Sequence, residues 1–420
     1  MVRDSIKKLL LFFLVFVLIF RPEFVFIPMG INKFFGLSGL IVYFLDNQTR
    51  NRLRCLTNTS FKPFMLLLIP PLICSLISLL INSTSDMYFP QYVLSMLLAF
   101  YSAYLIAWGF IRIYGEVSCQ RLTKYIVVGC VVYTLIAFVC FIKPSLFIFL
   151  NSIQRFDEIA EIAIDRTEGT RLIGIGAQFF TSAIVNGISL ILIGASMVVY
   201  RHNYQEKLLI LTAFIVISIL GIMMARTLMF GILIGGGIFA FSFIRSTRDF
   251  FQSIVVIMLF AVIAFLVLPA ILKNYSSSFD VLSSFGFEMF INKAEGGRFE
   301  SHSMLHLYEM WNTIPHDTKS WIIGDGLWTS NEGYYMNVDL GYLRHIWYFG
   351  IIGTFFIFRY YFLSIKYIFW DKKLFSPKYR LITLSLILFV LILNAKGGCD
   401  LFIYIIPFYF CTNDKTIIQR

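Results

Sequence analysis

KLLILTAFIVISILGIMMARTLMFGILIGGGIFAFSFI, residues 207–244, is two apolar runs joined by a hinge that holds one charge, Arg226. Each run has the roughly 17–25 residues that cross the hydrocarbon core of a bilayer as a helix. Similar runs recur along the chain. They predict spans at about 5–20, 31–46, 63–82, 90–114, 124–143, 175–200, 207–225, 227–244, 250–272, 346–365, 380–395 and 399–412. Composition agrees: 58% of the 420 residues are apolar, 18% aromatic and 14% charged, against about 25% charged in soluble domains. Mean hydropathy is +0.78. The expected fold is an all-α, polytopic membrane protein with about twelve transmembrane helices.

Twelve spans place both termini on one side of the membrane. Loops on that side hold 20 Lys/Arg against 7 Asp/Glu, and the opposite loops hold 13 against 17. The positive-inside rule therefore puts the termini in the cytoplasm. The formal net charge of +11 reads as a topology signal and needs no nucleic-acid partner. The opening MVRDSIKKLLLFFLVFVLIF (1–20) has a basic flank and an apolar core but no small-residue cleavage site, so it reads as a retained first helix. Seven cysteines are scattered without a CxxC pair, which indicates neither a disulfide framework nor a thiolate metal site.

Most connections are short. Within a single membrane domain covering 1–420, two are long, and both are expected outside: 144–174, and the main outer loop at 273–345. Long structured loops in a compact protein are usually functional. The main loop holds four of the five histidines, His302, His306, His316 and His345, and three of the six tryptophans, Trp311, Trp321 and Trp328. Within it, GGRFESHSMLHLYEMW (296–311) has apolar residues at Met304, Leu305, Leu307, Tyr308 and Trp311, the pattern of a short amphipathic helix starting near Arg298. On such a helix Arg298, His302, His306 and Glu309 would share one face.

Each polar residue has a plain reading beside the chemical one. The helix face is either a solvated surface or a site. His302 and His306 have His-x3-His spacing, but SHSMLH lacks the glutamate of a zinc protease, so no metal is expected. Arg226 at a helix mouth is costly unless it meets a polar cavity or snorkels to the surface. Arg171 ends the first long loop; Arg344 and His345 end the second, where Asp339 is close enough to pair with Arg344. Guanidiniums bind phosphate by bidentate, charge-assisted hydrogen bonds. Arg171, Arg226, Arg298 and Arg344, converging on one face, would suit a pyrophosphate head group. Trp321, Trp328, Tyr334 and Tyr335 could stack on sugar rings or form an interfacial aromatic belt.

The element order, the arginine-bearing helix mouth, the histidine-rich outer loop and the closing DLGYLRHIWYFGIIG (339–353) resemble the O-antigen polymerase (Wzy) and ligase superfamily. The resemblance is one of layout over the whole chain and lies mainly in 171–187, 224–237 and 296–353. It implies metal- and cofactor-independent, inverting glycosyl transfer at the periplasmic face of the bacterial inner membrane. The implied partners are undecaprenyl-pyrophosphate-linked glycans as donor and acceptor, membrane lipid, and a separate chain-length regulator. Arg171 and Arg298 stand where the family's loop arginines hold pyrophosphate. The chain departs from the polymerase pattern Arg-x10-Gly, because Ser182 follows Arg171 and Glu309 follows Arg298 at that distance. It also lacks the ligase patterns Arg-x3-Leu, with His302 at the fourth place after Arg298, and His-x10-Gly.

The expected function is polymerisation of carrier-linked repeat units into O-antigen or a related surface polysaccharide. His302 is the expected general base, its ordinary pKa lying near working pH, with Glu300, Asp339 and His345 as alternates. Arg171, Arg226 and Arg298 are expected to stabilise the leaving group. The rivals are the ligase that transfers glycan to lipid A–core and, from another class, a lipid-linked oligosaccharide flippase. A flippase would carry charge inside its spans, whereas here the mid-span regions are nearly free of ionisable residues and the candidate polar groups sit in the long outer loop. A structural scaffold would not need this collection of arginine and histidine.

Overall fold

The computed structural model describes residues 2–57, 60–156, 164, 170–200, 202–243, 284–285, 288, 291–298, 300–330, 333–370 and 379–412. Its helices in chain order begin with α1 (Val2–Phe20), α2 (Ile31–Leu45), α3 (Asn47–Thr57), α4 (Lys62–Asn82), α5 (Tyr88–Tyr114), α6 (Cys119–Ile142) and α7 (Pro144–Ser152). They continue with α8 (Phe179–Val199), α9 (Tyr204–Met224), α10 (Leu228–Phe243), α11 (His302–Trp311) and α12 (Thr318–Ile322). After a two-residue antiparallel hairpin, β1 (Thr329–Ser330) with β2 (Gly333–Tyr334), come α13 (Gly341–Phe369), α14 (Tyr379–Asn394) and α15 (Phe402–Ile405).

Among the described residues six helices are long and apolar enough to cross a membrane: α4, α5, α6, α8, α9 and α13. Helices α2, α10 and α14 are apolar but shorter. At 1.5 Å per residue the 15 residues of α2 reach only about 22 Å, against a hydrocarbon core of about 30 Å. The span expected at 250–272 lies outside the described residues. The one expected at 399–412 is not a single helix: α15 has four residues and gives way to a 3-10 stretch at Ile406–Phe410. Pro407 in that stretch has no N–H for a helical ladder.

Where a helix starts, a short polar side chain often satisfies its free amides. The Ser118, Asn203 and Asp317 side chains accept from the Arg121, Glu206 and Ser320 amides at the starts of α6, α9 and α12.

The chain divides into two compact units, each discontinuous in sequence. The first comprises residues 1–31, 118–299 and 414–420. Its centre is α8, almost wholly buried. The repeated small residues of GILIGGG in α10 let the two backbones meet: a Cβ on Gly231 would lie 2.6 Å from the Cα of Gly187, and one on Gly235 would lie 2.6 Å from the Leu190 carbonyl oxygen. Close approach at small residues is how apolar helices associate where no hydrophobic drive separates them from lipid. The first long loop opens with α7 and returns against the α1–α2 connection, where Phe24 bridges Gln154 and the Arg155 amide donates to the Glu23 carbonyl at 2.6 Å. It rejoins α9 through the Leu172 amide, which donates to the Met223 carbonyl at 3.1 Å.

The second unit comprises residues 32–117 and 300–413. Helix α13 packs along α4 and bends at Gly350, whose φ of 68° and ψ of −177° break the helix. The buried Tyr348 hydroxyl locks the bend to α5, donating to the Asp86 carbonyl at 2.8 Å and accepting from the Phe89 amide at 3.3 Å. Helix α11 rests on the start of α13 through Met310 and Leu307, packed with Val338, Leu340, Leu343 and Trp347.

Candidate functional site

In the first unit the hinge between α9 and α10 is a tight turn, closed by the Leu228 amide on the Ala225 carbonyl and the Met229 amide on the Arg226 carbonyl. It leaves Arg226 outside both helices. Arg171, arriving on the segment hydrogen-bonded to the end of α9, comes to the same place. Both guanidinium carbons lie 4.3 Å from the centre of the Phe285 ring, which puts the two charges within twice that distance of each other. Arg171 also faces Phe179 at 5.8 Å.

Arg226 forms an ion pair with Glu288, three positions beyond Phe285 in the chain. Among the described residues no carboxylate pairs with Arg171, and its Nε is buried without a hydrogen-bond partner. Burial draws the pKa of both arginines below the ordinary value, and the Arg226 charge adds to the effect at Arg171. Two guanidiniums on one aromatic ring, with one matched carboxylate, leave capacity for an anion that accepts several N–H donors. Phe285 and Glu288 are not legible as site residues in the sequence: they sit in an apolar segment, and only the tertiary contact gives them a role.

Arg298, also in the first unit, is exposed and lies in non-helical backbone ahead of α11. The expected helix from Arg298 in fact starts at His302, with Ser301 in extended backbone at its N-cap. Arg298 therefore does not lie on the same helix face as the histidines. His302 opens α11, and its side chain lies outside the described residues. His306 and Glu309 are exposed and pair with each other at 3.3 Å, which is the solvated face of the plain reading. The buried face carries Leu307 and Met310, whereas Leu305, Tyr308 and Trp311 are exposed. Glu300 lies in non-helical backbone and is half-buried.

Arg344 belongs to the second unit. Its side chain is only 9% exposed and is ion-paired with Asp339 at 3.7 Å. Its guanidinium lies 4.0 Å from the Trp328 ring centre and 3.8 Å from that of Tyr334. Trp328 in turn stacks on Tyr88 at 3.9 Å with 7° between planes. The Asp86 carboxylate fixes this loop by accepting from the Trp328 amide at 2.7 Å. Below it, an open cleft of about 590 Å³ runs between residues 83–91 and 327–329. Of the aromatics expected on this side, Trp328 and Tyr334 thus hold an arginine. Tyr335 donates to Asp325 at 3.0 Å, and that carboxylate together with burial pushes its phenol up to about 12, burial being the larger cause.

His345 is buried among Trp328, Phe349 and Phe358. Its Nε2 lies 3.3 Å from the Tyr361 hydroxyl, and its Nδ1 has no partner among the described residues. Asp339 is set differently. Its carboxyl is pushed up to about 6 by the protein packed around it, while Arg344 pulls the other way. Half of its side chain, 51%, stays open to water, and that water tempers the rise.

The four expected arginines are divided between the two units. Arg171 and Arg226 meet in one unit, Arg298 stands exposed in the same unit, and Arg344 is enclosed in the other. Among the described residues no three His, Cys, Asp or Glu side chains gather as a metal set would. Compared with family models, with curated proteins and with solved structures, the chain finds no match.

Proposed function

We propose that this chain polymerises oligosaccharide repeat units carried on undecaprenyl pyrophosphate, at the periplasmic face of the bacterial inner membrane, with both termini cytoplasmic. The observation that supports this reading most is the pairing of Arg171 and Arg226 over Phe285, outside the apolar helices and with one carboxylate partner, Glu288, among the described residues. In the proposed step the acceptor sugar hydroxyl attacks the anomeric carbon of the donor. A new C–O bond forms as the bond to the pyrophosphate oxygen breaks. The leaving pyrophosphate gains negative charge, and preorganised guanidiniums stabilise charge that develops in a transition state. His302 is the proposed base for the acceptor proton, with Asp339 and His345 as alternates. Arg298 and Arg344 are proposed as further contacts to the donor and acceptor phosphates.

The test is the length profile of surface polysaccharide in a deletion strain complemented with wild type or with Arg171→Gln at equal protein level. The polymerase reading requires that the deletion leave lipid A–core with a single repeat and that Arg171→Gln fail to restore the ladder. If no repeat reaches the core and full-length carrier-linked glycan accumulates outside, the chain is a ligase. If single units stay inside, it is a flippase.

A further inference from the structure

A second place in the molecule gathers cations that pair with no carboxylate among the described residues. Where the apolar α2 ends and the polar, basic α3 begins, Tyr43, Arg50, Arg54, Ser60 and Tyr104 line a cavity of about 70 Å³ floored by Phe410. All belong to the second unit. The volume is several times what one water molecule requires.

The cations are held in place from within. Arg50 Nη1 donates to the Tyr43 carbonyl at 3.0 Å, and Arg54 Nη2 donates to the Tyr43 hydroxyl at 2.7 Å. Both guanidiniums lie over the Tyr43 ring, at 5.3 and 5.9 Å. One turn apart on α3, they repel each other. The nearest acid on this corner, Asp46, is already taken: its carboxylate receives Arg112 at 2.5 Å and Trp108 at 2.8 Å. Among the described residues neither Arg50 nor Arg54 pairs with a carboxylate.

A second, independent feature points to a ligand. Tyr104 is 2% exposed, and its hydroxyl is buried with no hydrogen-bond partner among the described residues. The Nε of Arg50 is likewise buried and unmatched. A buried donor without an acceptor is destabilising, and here two such donors stand at one cavity with two positive charges. The missing species must accept hydrogen bonds and carry negative charge. Exposed Ile41, Phe44 and Leu45 border the same corner on α2, so an apolar tail could lie beside the charged group.

We propose that this cavity binds a phosphate group, with Arg50, Arg54 and the Tyr104 hydroxyl as its donors. The phosphate comes from the headgroup of an acidic phospholipid or from free phosphate. The site is separate from the Arg171–Arg226 pair and does not depend on its role.

The experiment titrates the purified full chain, in a non-ionic detergent, with dioctanoyl phosphatidylglycerol, with dioctanoyl phosphatidylcholine and with inorganic phosphate. Binding is read from the rise of the unfolding midpoint, since a ligand that binds only the folded state stabilises it, and from bound mass in native mass spectrometry. Wild type is compared with Tyr104→Phe and Arg54→Gln. Tyr104→Phe removes a hydroxyl that bonds nothing among the described residues, so it leaves the fold intact. Phosphatidylglycerol should bind, and each substitution should weaken it about tenfold, the usual worth of a hydrogen bond to a charged group. If inorganic phosphate shows the same two losses, the phosphate alone suffices; if only the lipid binds, the tail is part of the ligand. If neither anion binds, if phosphatidylcholine binds equally well, or if Tyr104→Phe binds like wild type, the cavity holds only water and the proposal is wrong.

Discussion

Arg171 and Arg226 stand at the same distance, 4.3 Å, from the centre of one ring, Phe285, although 55 positions separate them in the chain. Like charges held this close need a reason. Glu288 balances one of them, and an incoming dianion would balance both while competing with Glu288 for Arg226.

The competition makes a prediction about binding. Glu288→Gln keeps the size of the side chain but removes its charge, so a pyrophosphate should meet Arg226 unopposed. With farnesyl pyrophosphate as the probe, Glu288→Gln should bind about three- to tenfold more tightly than wild type, and Arg171→Gln about tenfold less tightly. Calorimetric titration of the purified variants measures both. Equal affinities in all three proteins would remove the arginine pair from any pyrophosphate site.

Asp339 gives a prediction in pH. Its folded pKa is raised to about 6, because packing disfavours the charge more than Arg344, Lys396 and His306 favour it. Between the ordinary aspartate value and about 6 the folded chain holds a proton that the unfolded chain has released. Stability from this group therefore falls as pH rises through that window. Asp339→Asn carries no titrating proton, so its unfolding midpoint should follow wild type near pH 4 and decline less towards pH 7. Midpoints at half-unit steps test this, and parallel profiles for the two proteins would refute it.

Much of the helical layout is legible in hydropathy, because a run of about twenty apolar residues has few other fates. The runs at 207–225 and 227–244 correspond to Tyr204–Met224 and Leu228–Phe243. Hydropathy averages are blind to single backbone events, which is why 399–412 reads as a span although Pro407 and a short 3-10 stretch interrupt it. The helix expected from Arg298 fails for a related reason: its apolar spacing is real, but the start is set by extended backbone at Ser301. In the site, Arg226 is legible as a lone charge between two apolar runs. Its partner Phe285 is one of 46 phenylalanines, and nothing local distinguishes it. The enclosure of Arg344 by Trp328 and Tyr334 depends on a hairpin too short to leave a periodic signal.

The bend in α13 sets two glycine substitutions against each other. Gly350 has φ of 68°, and a Cβ there would strike the Ile322 carbonyl. Gly350→Ala should therefore lower stability by at least about 2 kcal/mol, from backbone strain and forced movement of α12. Gly237, on the open face of α10, would meet nothing within 4 Å. Gly237→Ala should be neutral or stabilise by up to about 1 kcal/mol, the difference in helix propensity. Thermal unfolding of both variants in one detergent checks the pair. A Gly350→Ala protein as stable as wild type would mean that the bend is not required.

The last prediction concerns Asp46, which joins α2 to α3. Its carboxylate caps α3 by accepting from the Thr49 amide at 3.0 Å, and it also receives the Thr49 hydroxyl, Trp108 Nε1 and Arg112. Burial alone would raise its pKa, but these four donors hold it well below the ordinary carboxylate range. A depressed folded pKa gives stability that is present above the unfolded value and is lost as pH falls towards the folded one. Asp46→Asn keeps a capping oxygen but loses the charge, so at pH 7 it should cost about 1–3 kcal/mol, mostly from Trp108 and Arg112. Asp46→Ala loses the cap as well and should cost about 1 kcal/mol more. Because wild type itself gives up this stability in acid, the gap between wild type and Asp46→Asn should narrow as pH drops below about 4. Unfolding midpoints for the three proteins at pH 7 and pH 3.5 decide the matter: a gap that stays constant with pH would show that the charge on Asp46 contributes nothing and that its oxygens act only as hydrogen-bond acceptors.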